Sequence, residues 1–407
     1  TCRRGTDNVC SSTRFTRCGQ VGQGHQRRVQ QPHGAEHLGS GTPSSGLQAC
    51  GLTLALQDQT NGRYKARFVA QGFSQIPGVD YFATFAPVAR LSSVRLLLSL
   101  AADYNWDLVH LDVKTAFLQS ELKEKIYVWQ PRGFEKHSPS GAPYACRLRR
   151  SLYGLCQNPA SWFSTIHQFL LDVEVKSCLA DPCVYVKGSG TVILVLYVDD
   201  IIISGASSDA INKVKEKLMT MFDMSYLGDV TTFLGMDIVR DHSTGVVLVR
   251  QCRYIHAILE RFNMAHCNPS ATPGDGVFPP AGAVLDIKTT TYYQELVGSL
   301  IYLVSCTRPD IAYAVMQLSR FRNKPSTAHL TAGKRVLRYL KGTQDLPLRY
   351  GAGKGELSGF ADASFASDPY TNRSASGYVF TMSGAAITWS SKMQPAVALS
   401  TMETEYI

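Results

Sequence analysis

The chain has 407 residues, of which 44% are hydrophobic, and a formal net charge of +9. That length suits two or three domains with a sizeable core, and the charge admits a polyanionic partner without demanding one. No run of about 18 apolar residues occurs, which argues against a membrane span, and the first residues lack the charged start and apolar stretch of a secretory signal.

The first 50 or so residues differ in texture from the rest. They are rich in Gly, Ser, Gln and Arg, show no regular apolar period, and contain no lysine before Lys65. They read as disordered, or as sequence foreign to the remainder of the chain, in preference to a basic nucleic-acid-binding arm. From Arg63 the chain looks globular. Arg90–Asp103 has helical spacing and Asp107–Val113 alternates like a strand. Trp162–Leu171 predicts a helix, Thr191–Val198 and Ile201–Ser204 two strands, and Asn212–Phe222 an amphipathic helix with Val214, Leu218, Met219 and Phe222 at helical intervals. Pro269–Ala283, with several Pro and Gly residues, reads as a linker. Tyr292–Phe321 and Thr327–Leu340 look helical, and Leu346–Ile407 returns to strands, most clearly at Gly377–Met382. Helices interleaved with antiparallel strands predict an α+β or mixed architecture. The 11 cysteines include no Cys-x-x-Cys pair. They read as reduced, mostly buried thiols of an intracellular protein, not as zinc ligands.

The strongest chemical signal is Leu194-Val195-Leu196-Tyr197-Val198-Asp199-Asp200-Ile201-Ile202-Ile203-Ser204-Gly205. Two apolar strand-like runs flank adjacent carboxylates, so a hairpin would carry both acids at its turn. Negative charge beside an apolar core is costly unless a cation neutralises it. Mg²⁺ takes carboxylate oxygens and substrate phosphates, which points to metal-assisted phosphoryl chemistry. A solvated hairpin would look the same over four residues. A further acid, Asp112, ends the strand Leu108-Val109-His110-Leu111-Asp112-Val113, although the following Lys114-Thr115-Ala116-Phe117 also suits a helix N-cap. If the strands are neighbours, the three acids converge, and two divalent ions could clamp the oxygens of an in-line displacement.

Eight ordered blocks resemble the reverse transcriptases of copia-type retrotransposons. They are Arg63–Phe73, Phe85–Arg90, Leu111–Leu118, Ser151-Leu152-Tyr153-Gly154-Leu155, Leu196–Ile202, Phe233-Leu234-Gly235-Met236, Thr307–Tyr313 and Arg335–Thr343. The resemblance runs over roughly residues 61–407. It implies an α+β right-hand polymerase, with fingers and palm over 61–265, thumb or connection over 266–345, and an unrelated or disordered segment at 1–60. It implies RNA-directed DNA polymerisation with two Mg²⁺ or Mn²⁺ ions, and RNA template, DNA primer and deoxynucleoside triphosphates as partners. Asp112, Asp199 and Asp200 match the metal-binding catalytic acids. Val113 would touch the triphosphate through its backbone, Lys65 and Arg67 would neutralise it, and Phe117 matches the aromatic gate against a ribose 2′-OH. Tyr153 and Gly154 match a nucleotide-contacting segment where glycine permits close approach. Tyr197, Phe233, Leu234 and Gly235 would meet the primer–template. Solvated or core-packed side chains are the plainer readings of Lys65, Arg67, Phe117, Tyr197 and Phe233, and a simple turn that of Gly154.

Residues 346–407 resemble an incomplete α/β ribonuclease H-like domain, through Leu357–Ala366, Ser374–Phe380, Thr388–Lys392 and Ala398–Ile407. Asp362 and Glu403 would be its metal ligands, with Glu405 as the alternative to Glu403. A further aspartate expected later in such a nuclease is not present, so this part is expected to be inactive. The chain departs from the family pattern before about Gln57, at Cys156 and Ser225, where lysine is usual, and at Ala160, where arginine is usual. These departures leave open a catalytically inactive remnant that binds nucleic acid. An unrelated metal-dependent phosphotransferase is disfavoured by the lack of a G-x-x-x-x-G-K-[ST] loop. The resemblance also implies copying inside a cytoplasmic virus-like particle, with later nuclear entry of the DNA.

Overall fold

A computed structural model describes residues 35–37, 49–58, 64–139, 141, 143–188, 190–274, 282–351 and 355–407. The reading of residues 1–34 and 38–48 as disordered or foreign lies outside these, as does the middle of the 269–283 linker. In chain order come strand β1 (Ala35–His37), hairpin β2 (Leu52–Asp58) and β3 (Tyr64–Ala70), helix α1 (Leu91–Asp103), β4 (Asp107–Val113), β5 (Tyr127–Trp129) and β6 (Ala145–Leu148). Next are α2 (Asn158–Asp172), β7 (Lys176–Ser177), β8 (Val184–Lys187), β9 (Val192–Tyr197), β10 (Asp200–Gly205), α3 (Ser208–Met221) and β11 (Met224–Asp229). β12 (Thr232–Phe233), β13 (Met236–Arg240) and β14 (Val247–Arg250) precede α4 (Cys252–Arg261), α5 (Ile287–Cys306), α6 (Ala312–Ser319) and α7 (Thr327–Gly342). Last come β15 (Leu348–Tyr350), β16 (Ser358–Ser364), β17 (Ala375–Met382), β18 (Ala385–Met393) and α8 (Thr401–Tyr406). The architecture is mixed α/β, and every pairing between these strands is antiparallel.

The chain forms two compact units, one drawn from residues up to Phe85 and Phe117–Trp162, the other from Ala86–Ala116 and Phe163–Ile407. The first unit holds the β2–β3 hairpin and a three-stranded sheet in the order β1-β6-β5. Cys50, Ala70, Ile126, Val128, Cys146, Leu148, Leu152 and Leu155 form its core. β2 falls within the 1–60 segment expected to be unrelated or disordered, yet it pairs with β3 from Leu52↔Ala70 onward.

The second unit is built on a six-stranded sheet in the order β11-β4-β10-β9-β8-β7. Its central strands are buried on both faces, which is why Ile201-Ile202-Ile203 reads as a continuous apolar run. Helix α1 buries Val94, Leu97, Leu98, Ala101 and Ala102, a stripe at helical spacing, in one core with Leu108, Val195 and Ile202. Its first turn has no local side-chain cap. Asp181 substitutes, accepting from the Arg90 N–H at 2.9 Å and the Ser93 hydroxyl at 2.7 Å.

Helices α4 to α7 share a separate core that includes Ile255, Tyr293, Leu296, Leu300, Val336 and Leu340. The single helix expected over 292–321 is broken after Cys306. Pro309 offers no N–H, and Arg308, only 1% exposed, turns its guanidinium onto Asp310 and onto the Thr343 carbonyl at 3.0 Å. β16, β17 and β18 form a further sheet. Ala385, Ala386 and Ile387 of β18 join the α1 core, so this sheet belongs to the same compact unit as the six-stranded one.

Candidate active site

The three acids of the sequence motif come to one end of the six-stranded sheet. β4 carries Asp112 and pairs with β10 so that Asp200 stands directly opposite it. Asp199 sits in the two-residue turn joining β9 to β10, since Tyr197 and Asp200 are the closing pair. The Asp199 carbonyl accepts from the Val113 N–H at 2.8 Å, which ties the turn to the end of β4. Asp112 is a strand residue, so the N-cap alternative is set aside. Asp112 and Asp200 are half-buried and Asp199 is exposed, leaving the acids open to a ligand above an apolar base.

Both acid-bearing segments carry backbone strain. Val198 has φ 58° and Thr115 has φ 51°, and they are the β-branched residues with left-handed backbone among those described. Such conformations are costly for branched side chains and persist where the surroundings over-determine them. Just before Thr115, Lys114 anchors the end of β4 through its N–H to the Asp223 carbonyl at 2.9 Å and its ammonium to the Asp223 carboxylate at 3.0 Å.

Beneath Asp200 lies a residue that the sequence reading missed. His110 is two positions before Asp112, hence on the same sheet face, and its Nε2 is 3.1 Å from Asp200 Oδ1. A polar residue set between apolar neighbours in a buried strand signals a buried partner, and that signal was available in Leu108-Val109-His110-Leu111. Phe233 packs edge-on to His110 at 5.8 Å and to Tyr197 at 6.4 Å between ring centroids. Phe233 is 2% exposed, so its ring serves as a packing element. The next two residues form the tip of the β12–β13 hairpin, with φ 49° at Leu234 and 72° at Gly235. Two successive left-handed residues are what a tight primed turn needs. The Leu234 carbonyl accepts from Tyr302 Oη at 2.7 Å. Burial pushes the Tyr302 phenol up to about 12, so it stays protonated as that donor.

The residues expected to meet the nucleotide divide between the units. Val113 lies with the acids, and its N–H is engaged by Asp199. In the other unit, Arg67 of β3 lies 5.4 Å from the Tyr153 ring centroid, and Phe117 meets the same ring edge-on at 5.4 Å. Arg67, Phe117 and Tyr153 are thus brought together. Lys65 is also on β3, but its side chain lies outside the described residues. Gly154, at φ 93°, lets β3 approach: the Ala70 N–H donates to the Tyr153 carbonyl at 2.7 Å, and a Cβ on Gly154 would run into the Ala70 carbonyl. At Cys156 the thiol lies 3.3 Å from the Gly72 carbonyl.

Near the C-terminus, Asp362 is an exposed residue of β16, and α8 packs against that strand. The Glu403 carboxylate accepts from the Leu399 N–H at 2.7 Å while its own N–H donates to Ser400 Oγ at 3.1 Å, so Glu403 helps to start α8. Among the described residues no helix is long and apolar enough to cross a membrane.

Comparison with known proteins identifies the family. A family model described as reverse transcriptase (RNA-dependent DNA polymerase) matches residues 49–275, which take in all three acids. The retrovirus-related Pol polyprotein from transposon TNT 1-94 of Nicotiana tabacum is 43% identical over 359 residues, 85% of this chain and 27% of that protein. The corresponding polyproteins from transposons RE1 and RE2 of Arabidopsis thaliana are 39% and 38% identical over 86% and 89% of this chain, and over 24% and 25% of their own lengths. The chain therefore spans about a quarter of the length of these relatives. Extended similarity of this kind, with the acids of β4 and β10 inside the matched region, places the chain in the reverse transcriptase family, among the copia-type retrotransposon Pol polyproteins.

Proposed function

We propose that this chain is an RNA-directed DNA polymerase that joins nucleotides by a two-metal mechanism at Asp112, Asp199 and Asp200. The observation that carries the reading is the β4–β10 register, in which Asp200 stands opposite Asp112 beside the Asp199 turn. Among the described residues no three His, Cys, Asp or Glu side chains are gathered as a ready-made metal cage. Mg²⁺ commonly takes one or two carboxylates and fills its shell with substrate phosphates and water. A facing carboxylate pair with a third acid on the adjoining turn suits that chemistry. Asp112, Asp199 and Asp200 would hold Mg²⁺ or Mn²⁺, which when bound supplies charge stabilisation to the attacking and leaving oxygens.

The remaining roles rest on resemblance. Lys65 and Arg67 would neutralise the triphosphate, with Val113, Tyr153 and Gly154 as nucleotide neighbours and Phe117 excluding a ribose 2′-OH. Tyr197 and the Phe233-Leu234-Gly235 tip would support the primer end on an RNA template. Fingers and palm over 61–265, a thumb or connection over 266–345 and a ribonuclease H-like part over 346–407, with Asp362 and Glu403 as metal ligands, complete the reading. The cellular setting would be a cytoplasmic particle with later nuclear entry of the DNA. Ser225 opposite Asp112, where the pattern implied by the resemblance has lysine, favours a second reading, a remnant that binds nucleic acid without copying it.

Primer extension on an RNA template with Mg²⁺ or Mn²⁺ separates the two. Extension by the chain, lost in an Asp199→Asn/Asp200→Asn variant, is the expected result. Salt-sensitive primer–template binding without extension would reject the polymerase reading in favour of the remnant.

A further inference from the structure

On β4 the residues Leu108, His110 and Asp112 share one face. Leu108 lies in the core with Val195, Ile202 and Phe233. His110 is 6% exposed, and its cross-strand neighbour on β10 is the fully buried Ile202. A leucine at this position would pack against Phe233 without the cost of burying a polar ring. It would lack one thing, the Nε2 that lies 3.1 Å from Asp200 Oδ1, and toward an ionised carboxylate, which only accepts, that nitrogen must carry the proton and donate. Phe233 against the ring edge, and Tyr197 behind Phe233, hold the imidazole in place. The bond is therefore anchored in the core at one end, and at the other it reaches a half-buried carboxylate opposite Asp112.

We infer that His110 is a positioning residue for Asp200: it holds one carboxylate oxygen so that the group presents the other to a divalent cation shared with Asp112. This rests on the polymerase reading above. Carboxylates that bind metals are themselves held by outer hydrogen bonds, and loss of such a partner typically lowers metal affinity or activity by about 10–100-fold. His110 acts through Asp200 and touches neither substrate nor metal.

The test is Mn²⁺ binding to the full chain, followed through the paramagnetic resonance of the free ion, with primer extension in parallel. His110→Leu keeps an apolar side chain at the site and removes the donor, whereas His110→Gln keeps an N–H donor. His110→Leu is expected to weaken Mn²⁺ binding about tenfold or more and to raise the metal concentration needed for extension, with primer–template affinity unchanged. His110→Gln is expected to bind Mn²⁺ as the unaltered chain does. Equal Mn²⁺ affinity in His110→Leu and the unaltered chain overturns the positioning role and leaves the polymerase reading standing. Equal losses in both variants also overturn it. No Mn²⁺ binding by the unaltered chain overturns the metal-site reading, and the positioning role with it. A second measurement needs no folded His110→Leu protein. The imidazole ¹⁵N signals of His110 should shift when Mg²⁺ is added to the unaltered chain and stay unmoved in Asp200→Asn. Signals that do not respond in the unaltered chain overturn the inference.

Discussion

Ser225 stands directly opposite Asp112 where β11 joins β4, on the side of Asp112 away from Asp200. Cross-strand partners point to one face with Cβ atoms about 4.5–5.5 Å apart. A cation at position 225 would therefore stand beside Asp112, where it would favour the ionised form and, in the proposed polymerisation, steady charge leaving with pyrophosphate.

Ser225→Lys is expected to raise the extension rate by on the order of tenfold or more, with little change in primer–template affinity. Ser225→Met supplies comparable length without charge and should leave the rate near that of the unaltered chain. Equal rates for the two variants in single-turnover extension would remove the electrostatic argument.

Phe117 and Tyr153 meet edge-on at 5.4 Å in the first unit. If the Phe117 ring excludes a ribose hydroxyl, Phe117→Val should lower the preference for deoxynucleotides by roughly tenfold or more. The ratio of kcat/KM for a deoxynucleotide to that for its ribonucleotide measures it. An unchanged ratio would leave Phe117 as a packing residue.

Arg95 is 5% exposed and holds three carbonyls. Its Nε donates to Ile387 and its Nη1 to Ser305 and Cys306, each at 2.8 Å, with the guanidinium 4.0 Å above the Trp389 ring. Burial lowers its pKa. Arg95→Met would leave those acceptors unsatisfied and should cost on the order of 3 kcal/mol or more in urea unfolding. Lysine should not rescue it, because the fork geometry is lost. A cost below about 1 kcal/mol would show that water takes over the carbonyls.

Gly154 and Gly78 both have left-handed backbone, with φ 93° and 79°, but only at Gly154 would an added Cβ meet a carbonyl, that of Ala70. Gly78→Ala should cost about 1 kcal/mol from backbone strain alone. Gly154→Ala should cost clearly more and make the β2–β3 hairpin more sensitive to limited proteolysis. Similar costs at both sites would contradict the close packing of Gly154 on β3.

Asp368 is fully buried. Burial raises its pKa, but hydrogen bonds from Arg320, Thr371 and the Tyr370 N–H outweigh it, and the net shift is downward. A carboxyl whose folded pKa lies below its unfolded value of about 3.9 contributes stability that is complete above that value. The contribution fades as pH falls through the folded pKa. The stability difference between the unaltered chain and Asp368→Asn should thus be constant from pH 7 to about pH 5 and shrink toward pH 3. A difference that grows on acidification would contradict the downward shift.

Much of the second unit was readable from local pattern. Asp107–Val113 forms the strand its alternation predicts, and α1 begins one residue inside the expected Arg90–Asp103 span. Apolar period and turn residues carry that information within a few positions. Two other elements were harder. α4 places Ile255, Ile258 and Leu259 at helical spacing, yet the segment is short and was not singled out. The break after Cys306 was missed although Pro309 marks it locally, while the contact that completes the turn, Arg308 to the Thr343 carbonyl, is long-range.

Taken alone, the sequence determined to which family the ordered motifs belong and singled out the acids proposed to bear the chemistry, because those signals are local or a matter of spacing along the chain. Only the tertiary structure decided what stands next to them. The facing of Asp112 and Asp200, the His110 bond beneath Asp200, and Asp181 closing the start of α1 from 88 and 91 residues away join segments far apart in the chain. Such contacts are set by strand register and by how buried polar groups find partners, and no short stretch of sequence encodes either.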